Sequence, residues 1–224
     1  MSKRIRLVNR KLPDYTIGEE IMNMVTHITG GGLSIIMLLL CLTKTIPTNN
    51  TTSILGCIIY GFSLICVYTM SSIYHGLHKG TGKKVLQVLD HCMIYLLIAG
   101  TYTPIMLTGF MPIYPKISKW LLIFEWVLAI LAITLNAIDL QRYKIFSMIC
   151  YIGLGWAIAP FLKEAYIALS PTGFWYLFSG GIAYTIGAVL FGIGAKKRWI
   201  HSVFHIFVII GSILQFLCIY LFIL

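Results

Sequence analysis

The sequence predicts an all-α integral membrane protein with seven transmembrane helices, and composition is the first reason. Of its 224 residues, 58% are hydrophobic and only 11% are charged, and the mean hydropathy is +0.88. These values lie far outside the usual range of soluble domains. A bilayer core of about 30 Å is crossed by roughly 20 apolar residues in a helix. A chain of this length therefore holds seven spans joined by short loops.

The distribution of apolar residues is the second reason. Stretches rich in Gly, Pro, Asn and Ser, which favour turns, separate seven apolar runs. We predict helices at about 24–43, 52–74, 85–108, 117–138, 145–162, 174–194 and 199–224. Pro104 and Pro160 fall inside two of these runs and are expected to kink them. Residues 1–20 are expected to form a basic cytoplasmic segment, and residues 21–224 one transmembrane domain.

The Lys and Arg residues predict the orientation of the helices. One set of alternate loops carries only Lys44, Lys116, Lys119 and Lys163. The other set carries Lys3, Arg4, Arg6, Arg10, Lys11, Lys79, Lys83, Lys84, Arg142, Lys144, Lys196, Lys197 and Arg198. Positive charge accumulates in cytoplasmic loops. We therefore expect a cytoplasmic N-terminus and, with an odd number of spans, a C-terminus outside.

The net charge of +10 would suggest a nucleic-acid partner in a soluble protein. In this chain the cations lie between apolar runs, so we interpret them as topology determinants that contact anionic lipid headgroups. Membrane lipids are the expected partners, and no nucleic acid is expected.

The histidines point to a functional site. Ionisable groups in a span are costly and therefore mark candidate sites. All six histidines fall at the cytoplasmic end of a predicted span or in a cytoplasmic loop: His27, His75, His78, His91, His201 and His205. Tolerance of histidine for the membrane interface would explain one or two of them, but it would not favour a single leaflet.

His201 and His205 are spaced i, i+4, so both imidazoles project from one face of a helix, as metal-binding pairs do. A catalytic zinc site has three protein ligands and an open position for water. His75, at the cytoplasmic end of the second span, is the best candidate for the third ligand because a short loop returns the chain there. The predicted cofactor is therefore Zn²⁺.

Asp90 and Ser71 are the candidate catalytic residues. Asp90 lies about five residues into the third span, roughly 7 Å deep, where a carboxylate needs a cation or strong donors. It could act as general base toward a zinc-bound water, or form a structural pair with a His or Lys. Ser71 lies one turn before His75 on the same face and could orient the water. Alternatively, its hydroxyl bonds its own i−4 carbonyl.

A second polar face lies at the entry to the first span. Glu20, Asn23 and His27 share one helical face and could support the metal ligands, or form an interfacial polar cluster. His78 and His91 are not expected to be ligands, because His78 lies in a basic loop and His91 points away from Asp90.

Glu125 lies in the outer half of the fourth span, apart from the histidines. We expect it to pair with Lys119 or another lysine.

These motifs together resemble the haemolysin III branch of the progestin and adipoQ receptor superfamily. The motifs that carry the resemblance are Glu20-x2-Asn23-x3-His27, Ser71-Ser72-Ile73-Tyr74-His75, Asp90-His91 with the segment 94–104, and His201-x3-His205. Each is short, but their order and spacing span the chain from the first helix to the last. Members share a seven-helix fold, and their metal site resembles that of alkaline ceramidases.

The resemblance implies that His75, His201 and His205 bind zinc, that Asp90 holds the zinc-bound water, and that Ser71 lies beside it. It also implies a multi-pass protein of the bacterial cell membrane. The leading hypothesis is a zinc-dependent hydrolase of a membrane-lipid amide or ester bond, with a role in membrane-lipid homeostasis. A sensor of membrane state with a structural zinc is the alternative. A pore-forming cytolysin is the least favoured, because no soluble form of this chain is expected.

Overall fold

The computed structural model describes residues 7–194 and 197–224, which form helices joined by short turns. Within these ranges there is no strand, and seven helical segments are long and apolar enough to cross a membrane. The predicted fold class is confirmed. Four of the predicted topology charges, Lys3, Arg4, Arg6 and Lys196, lie outside the described residues, as do all residues before Leu7.

Eight α-helices build the described part of the chain. They are α1 (Ile17–Thr45), α2 (Thr51–Gly76), α3 (Thr81–Pro104), α4 (Pro115–Asp139), α5 (Lys144–Gly155), α6 (Leu162–Ala168), α7 (Ser170–Gly194) and α8 (Ile200–Cys218). Two π-helical segments, Ile105–Phe110 and Ile219–Ile223, prolong α3 and α8. The N-terminal segment, the loop before α3, the start of α5 and the start of α8 share one end of the bundle. We call this end the N-terminal face.

The first helix begins at Ile17, earlier than the predicted position near residue 24. Its first turns are polar, so hydropathy alone does not detect them. A capping box fixes the start: the Glu19 N–H donates to the Thr16 hydroxyl, and the Glu19 carboxylate accepts from the Thr16 N–H at 2.8 Å. The acidic residues Glu19 and Glu20 therefore lie within the helix, where they reach neighbouring helices.

The prolines interrupt two spans, as predicted. The fifth span is broken between α5 and α6 by a 3₁₀ turn, Ala159–Phe161, which contains Pro160. This span ends at Ala168, beyond the predicted end near residue 162. In the third span, the regular α-helix ends at Pro104 and continues as the π-helical segment. Proline removes a backbone donor and its ring clashes with the preceding turn, which accounts for both irregularities.

The second and third spans are the most buried of the seven. Helix α2 packs against α1 and α3, α7 packs against α8, and α1 also contacts α8. Exposed Ile, Leu and Val side chains cover the outside of the bundle, among them Ile35, Leu39, Ile123, Val127 and Val189. An apolar exterior suits a lipid environment.

Polar contacts tie the interior of the bundle where apolar packing alone would give little specificity. The Ser212 hydroxyl of α8 lies 2.7 Å from both the Tyr68 hydroxyl of α2 and the Tyr184 hydroxyl of α7. Hydrogen bonds of this kind satisfy groups that lipid cannot solvate. Three helices are thereby linked at one point.

Close approach of α2 and α3 depends on Gly100. A Cβ atom at this position would lie 2.6 Å from the Cβ of Ser63, too near for the helices to keep their spacing. We predict that Gly100→Ala destabilises the protein by about 1–3 kcal/mol through overpacking. Thermal unfolding in detergent measures this. Gly32→Ala is the matched control, because nothing lies within 4 Å of its added methyl group. Equal melting temperatures for the two variants would contradict the prediction.

Candidate metal centre

Three histidines from two helices meet near the N-terminal face. His75 lies in the last turn of α2, whereas His201 and His205 lie in the first turns of α8, and all three are buried. One ring nitrogen of each lies within 4.8 Å of the others. The structure thus brings together the three residues that the sequence predicts as metal ligands.

Glu19 positions the start of α8. The backbone N–H of Trp199 donates to Glu19 Oε1 at 2.6 Å. Trp199 has a φ of 66°, a left-handed conformation that is uncommon for a bulky residue. The bond to Glu19 holds this turn against the first turn of α1. As a result, His201 and His205 face α1 and α2 rather than lipid.

Glu20 sets the orientation and tautomer of His75. The Nδ1 atom of His75 lies 2.7 Å from Glu20 Oε2. A carboxylate accepts hydrogen bonds, so Nδ1 carries the hydrogen and Nε2 keeps its lone pair. Among the described residues, this buried Nε2 has no hydrogen-bond partner. A histidine whose Nδ1–H is held by a carboxylate while Nε2 is free is the arrangement that zinc sites use.

Asn23 and Thr26 set the orientation of His205. Nδ1 of His205 lies 3.3 Å from the Asn23 carbonyl oxygen and 3.3 Å from the Thr26 hydroxyl. The Asn23 side-chain oxygen in turn accepts from the Ser202 hydroxyl at 2.6 Å. These bonds turn Nε2 of His205 toward Nε2 of His201, 3.2 Å away.

The donor set fits zinc. With zinc–nitrogen bonds of about 2.0–2.1 Å, two nitrogens of a tetrahedral site lie about 3.3 Å apart. The separation of 3.2 Å between the two Nε2 atoms is close to that value. An unpartnered nitrogen on His75 faces the same point. The residues present therefore fit a three-histidine zinc site.

His27 supports the cluster by packing rather than by a hydrogen bond. Its ring stacks on His205 with centroids 3.6 Å apart and an angle of 15° between planes. It also meets the Tyr68 ring edge-on at 5.1 Å. Because Tyr68 holds His27 in place, the stacking of His27 on His205 limits rotation of the His205 ring. Glu20, Asn23 and His27, which the sequence places on one helical face, thus all contact residues of the three-histidine cluster.

Lys83 is part of the site, although its position in a loop predicts only a topology charge. Its Nζ lies 2.7 Å from Glu20 Oε1, and it donates to the carbonyl oxygens of His75 at 3.2 Å and Leu77 at 2.8 Å. Its side chain is 3% exposed. A cation at the carbonyl end of a helix is favoured by the helix dipole. The interpretation of Lys83 as a lipid-facing charge is therefore wrong.

Arg10 is also a buried residue rather than a lipid-facing charge. It is 5% exposed, and its guanidinium lies 3.9 Å from the carboxylate of Asp139 at the end of α4. The chain before α1 is thereby anchored across the N-terminal face. The spacing of Arg10 and Asp139 in the sequence does not predict this contact.

Tyr15 covers the cluster from the N-terminal face. Its ring stacks on His201 with centroids 5.0 Å apart and lies 5.8 Å from the ring of His75. Burial, together with the nearby carboxylate of Glu20, raises the pKa of the Tyr15 phenol. Asp14 beside it bonds Lys79 at 2.8 Å, and this hydrogen bond lowers the pKa of the Asp14 carboxyl. No motif or spacing in the sequence marks Tyr15 as a residue of this cluster.

A narrow cavity of about 150 Å³ reaches the histidines from within the bundle. Near the cluster it is lined by Ser71, Asp90, His201 and His205, and toward the opposite end by apolar residues that include Ile105, Leu162, Ala165 and Phe174. The cavity therefore extends over most of the depth of the helices. It brings Ser71 and Asp90 to the same space as His201 and His205.

The Ser71 hydroxyl is available to a bound molecule. It has no hydrogen-bond partner among the described residues, and it lines the cavity. The neighbouring Ser72, by contrast, donates to the carbonyl of Tyr68 at 2.7 Å. The alternative in which Ser71 bonds its own i−4 carbonyl is therefore wrong.

Asp90 is not locked in a tight pair. The nearest basic atom among the described residues is Nδ1 of His91, at 3.7 Å. That nitrogen already donates to the carbonyl of Gln87 at 2.7 Å. A carboxylate that lines a cavity without a strong structural partner is free to contact a bound molecule. His91 itself lies outside the three-histidine group, as expected.

The expected pairing of Glu125 is wrong. Glu125 is 0% exposed, and neither carboxylate oxygen has a partner among the described residues. Lys119 precedes it by six residues in α4, so the two side chains point about 120° apart around the helix axis. Helical geometry thus separates the two groups.

Comparison with known proteins identifies the family. The sequence model of the family described as "Haemolysin-III related" matches residues 15–216. The chain belongs to the haemolysin III family. The matched range includes every residue of the candidate metal centre, and the resemblance inferred from the four motifs is confirmed.

Members of the haemolysin III family align along nearly the whole chain. "Hemolysin-3" of Bacillus cereus is 35% identical over 208 residues, 93% of each chain. "Hemolysin-3 homolog" of Bacillus subtilis (strain 168) is 35% identical over 206 residues, which is 92% of this chain and 94% of that one. "Monocyte to macrophage differentiation factor" of Homo sapiens is 22% identical over 167 residues, 72% of this chain and 68% of that one. This last similarity agrees with the relationship to the progestin and adipoQ receptors.

The role of Lys83 is testable through stability. Lys83→Met leaves the Glu20 carboxylate, which is only 16% exposed, without this cation, and we predict a loss of roughly 3–5 kcal/mol. Lys83→Arg keeps the charge and is expected to retain most of the stability. Thermal unfolding measures both.

Lys79→Met is the matched control, because the Lys79–Asp14 pair is exposed and exposed pairs contribute little. A Lys83→Met protein as stable as Lys79→Met would contradict the role assigned to Lys83.

Proposed function

We propose that this protein is a zinc-dependent hydrolase that cleaves an amide or ester bond of a membrane lipid. The single observation that supports this most is the set of three buried histidines whose ring nitrogens lie within 4.8 Å of one another, two of them at the end of a deep apolar cavity. A site with three histidine ligands leaves a fourth position for a reacting molecule.

His75, His201 and His205 would hold the zinc. When bound, zinc activates water and polarises a carbonyl group. Glu20 keeps the Nδ1 hydrogen of His75 in place, and Asn23 does so for His205. Support of this kind typically changes metal affinity by about 10–100-fold. The hydrogen bonds of the chain thus prepare both histidines as ligands.

Asp90 and Ser71 would carry the proton transfer and the oxyanion contact. Asp90 accepts a proton from the attacking water and returns it to the leaving nitrogen or oxygen. The free Ser71 hydroxyl donates to the carbonyl oxygen as negative charge develops on it. The apolar part of the cavity holds the acyl chain, which enters laterally from the bilayer. Water is excluded there by residues such as Ile105 and Phe174.

We further propose that the N-terminal face is cytoplasmic and that the protein resides in the plasma membrane of a bacterium. Thirteen of the seventeen Lys and Arg residues belong to that face in the sequence, and positive loops stay inside. The two Bacillus relatives support a bacterial source. The metal centre would then serve the cytoplasmic leaflet, in keeping with a role in membrane-lipid homeostasis.

A second function is supported by the position of the histidines between helices. The cluster links α1, α2 and α8 through Glu20, Asn23 and Ser202. A zinc ion at this place could lock three helices together and serve a sensor of membrane state without catalysis. The word "hemolysin" in the names of the relatives describes those proteins, and direct pore formation remains the least favoured function here.

The catalytic proposal is tested by Asp90→Asn. We predict that turnover of a lipid amide or ester falls by about 10²–10⁴-fold, because the amide cannot accept the proton. Zinc content should stay close to that of the wild type. Lipid cleavage is measured by mass spectrometry of products, and metal by elemental analysis. Asp14→Asn, an exposed substitution on the N-terminal segment, is the control. Undiminished cleavage by Asp90→Asn would refute the assignment.

The metal proposal is tested by His205→Ala. We predict that bound zinc falls from about one ion per chain to a small fraction of that, since a three-ligand site loses one ligand. The melting temperature of the wild-type protein should drop after chelation. His78→Ala, in the exposed loop before α3, should keep its zinc. Full zinc content in His205→Ala would contradict this site. If chelation lowers stability and no lipid is ever cleaved, the structural function is correct.

A further inference from the structure

A second cavity opens on the N-terminal face directly above the metal centre. Its volume is about 410 Å³, and its walls come from the N-terminal segment, α3, α5 and the turn before α8. We call it the vestibule and define it by Lys11, Tyr15, Asp90, Lys144, Lys197 and Arg198.

The vestibule and the apolar cavity meet at the candidate catalytic residues. Asp90 and His201 line both, together with Tyr151 and Phe191. A molecule with a polar part in the vestibule and an apolar chain in the cavity would therefore pass Asp90 and His201 at its middle. The two spaces differ sharply in character: one is rimmed by charge and the other is lined by hydrocarbon.

The vestibule is lined by more cations than carboxylates, and those carboxylates are Asp14, Glu19 and Asp90. Four cations line it: Lys11, Lys144, Lys197 and Arg198. None of them forms an ion pair within the described residues. All seven acidic residues of the chain lie in that described part, so no undescribed carboxylate is left to neutralise them.

The carboxylates near the rim are already engaged. Asp14 bonds Lys79 at 2.8 Å. Glu19 accepts from the backbone N–H groups of Thr16 and Trp199. Only Asp90, at the floor of the vestibule, faces the open space without a strong partner. Four unpaired cations concentrated around one cavity attract anions and raise their local concentration.

We propose that the vestibule binds an anionic group, a phosphate or a carboxylate, of the acyl lipid whose chain fills the cavity. This inference rests on the proposed function for the position of the scissile bond, and it narrows the substrate class. The substrate is an acyl lipid that carries negative charge on the polar side of its amide or ester. A neutral lipid would leave all four cations unmatched, and Arg198 in particular suits the planar recognition of phosphate or carboxylate.

Binding of a defined amphiphile tests the proposal without requiring turnover. The full chain, in nanodiscs of uncharged lipid, is titrated with N-oleoylglycine, which has a carboxylate, and with its neutral methyl ester. The rim variant combines Lys144→Gln, Lys197→Gln and Arg198→Gln, all at exposed positions. The matched control combines Lys116→Gln, Lys119→Gln and Lys163→Gln, which lie at the opposite end of the bundle.

We expect the rim variant to bind N-oleoylglycine roughly tenfold more weakly, the product of about a twofold loss for each of three exposed charges. Its affinity for the methyl ester should equal that of the wild type, and the control variant should match the wild type for both probes. Added salt should weaken binding of the acid only. Equal affinity of wild type and rim variant for the acid would overturn the proposal.

Inorganic phosphate separates a lipid headgroup from a free anion. Phosphate alone should compete with N-oleoylglycine far more weakly than the acid competes with itself, because it gains nothing from the cavity. Competition at equal concentration would overturn the lipid assignment.

The two proposals fail separately. Charge-dependent binding without cleavage of any lipid would reject the hydrolase and leave the vestibule assignment standing. Cleavage of neutral amides with no effect of the rim charges would reject the vestibule assignment and leave the hydrolase standing.

Discussion

The structure depends on one constraint: a polar group between lipid-facing helices must find its partner inside the protein. Glu20 meets this constraint for the metal centre. One carboxylate oxygen contacts Lys83 and the other contacts His75, each at 2.7 Å. The same lysine reaches the last carbonyls of α2. The orientation of His75 is thus fixed by Glu20, and Glu20 is held by Lys83, which also contacts the end of α2.

The sequence predicted what periodicity and run length encode. Seven apolar runs became seven spans, and the i, i+4 spacing of His201 and His205 placed both on one face of α8. His75 could be predicted as the third ligand because it lies at the end of α2, where a short loop keeps the chain on the same side of the membrane. These inferences need only the local geometry of a helix and the thickness of a bilayer. They do not require knowledge of how the helices pack.

What the sequence could not predict depends on rotation and packing between helices. Lys83 looked like every other loop cation, since its burial arises from the way α2 and α3 meet. Glu125, which has no partner among the described residues, differs from the prediction for a related reason: Lys119, nearby in sequence, lies on another side of the helix. The early start of α1 was missed because its first turns are polar. Tyr15 reaches His201 only once the N-terminal segment has folded back across the bundle.

The order of synthesis gives the Glu20–Lys83–His75 contacts a further consequence. All three residues belong to the first three spans, so they enter the membrane long before α8 is made. Their two charges can pair as soon as these spans associate, without waiting for the rest of the chain. Asn23 must wait for Ser202 and His205, which arrive with the last helix. Assembly of the site would then take two steps: the first three helices pair the charges of Glu20 and Lys83 with each other, and the final span completes the histidine cluster.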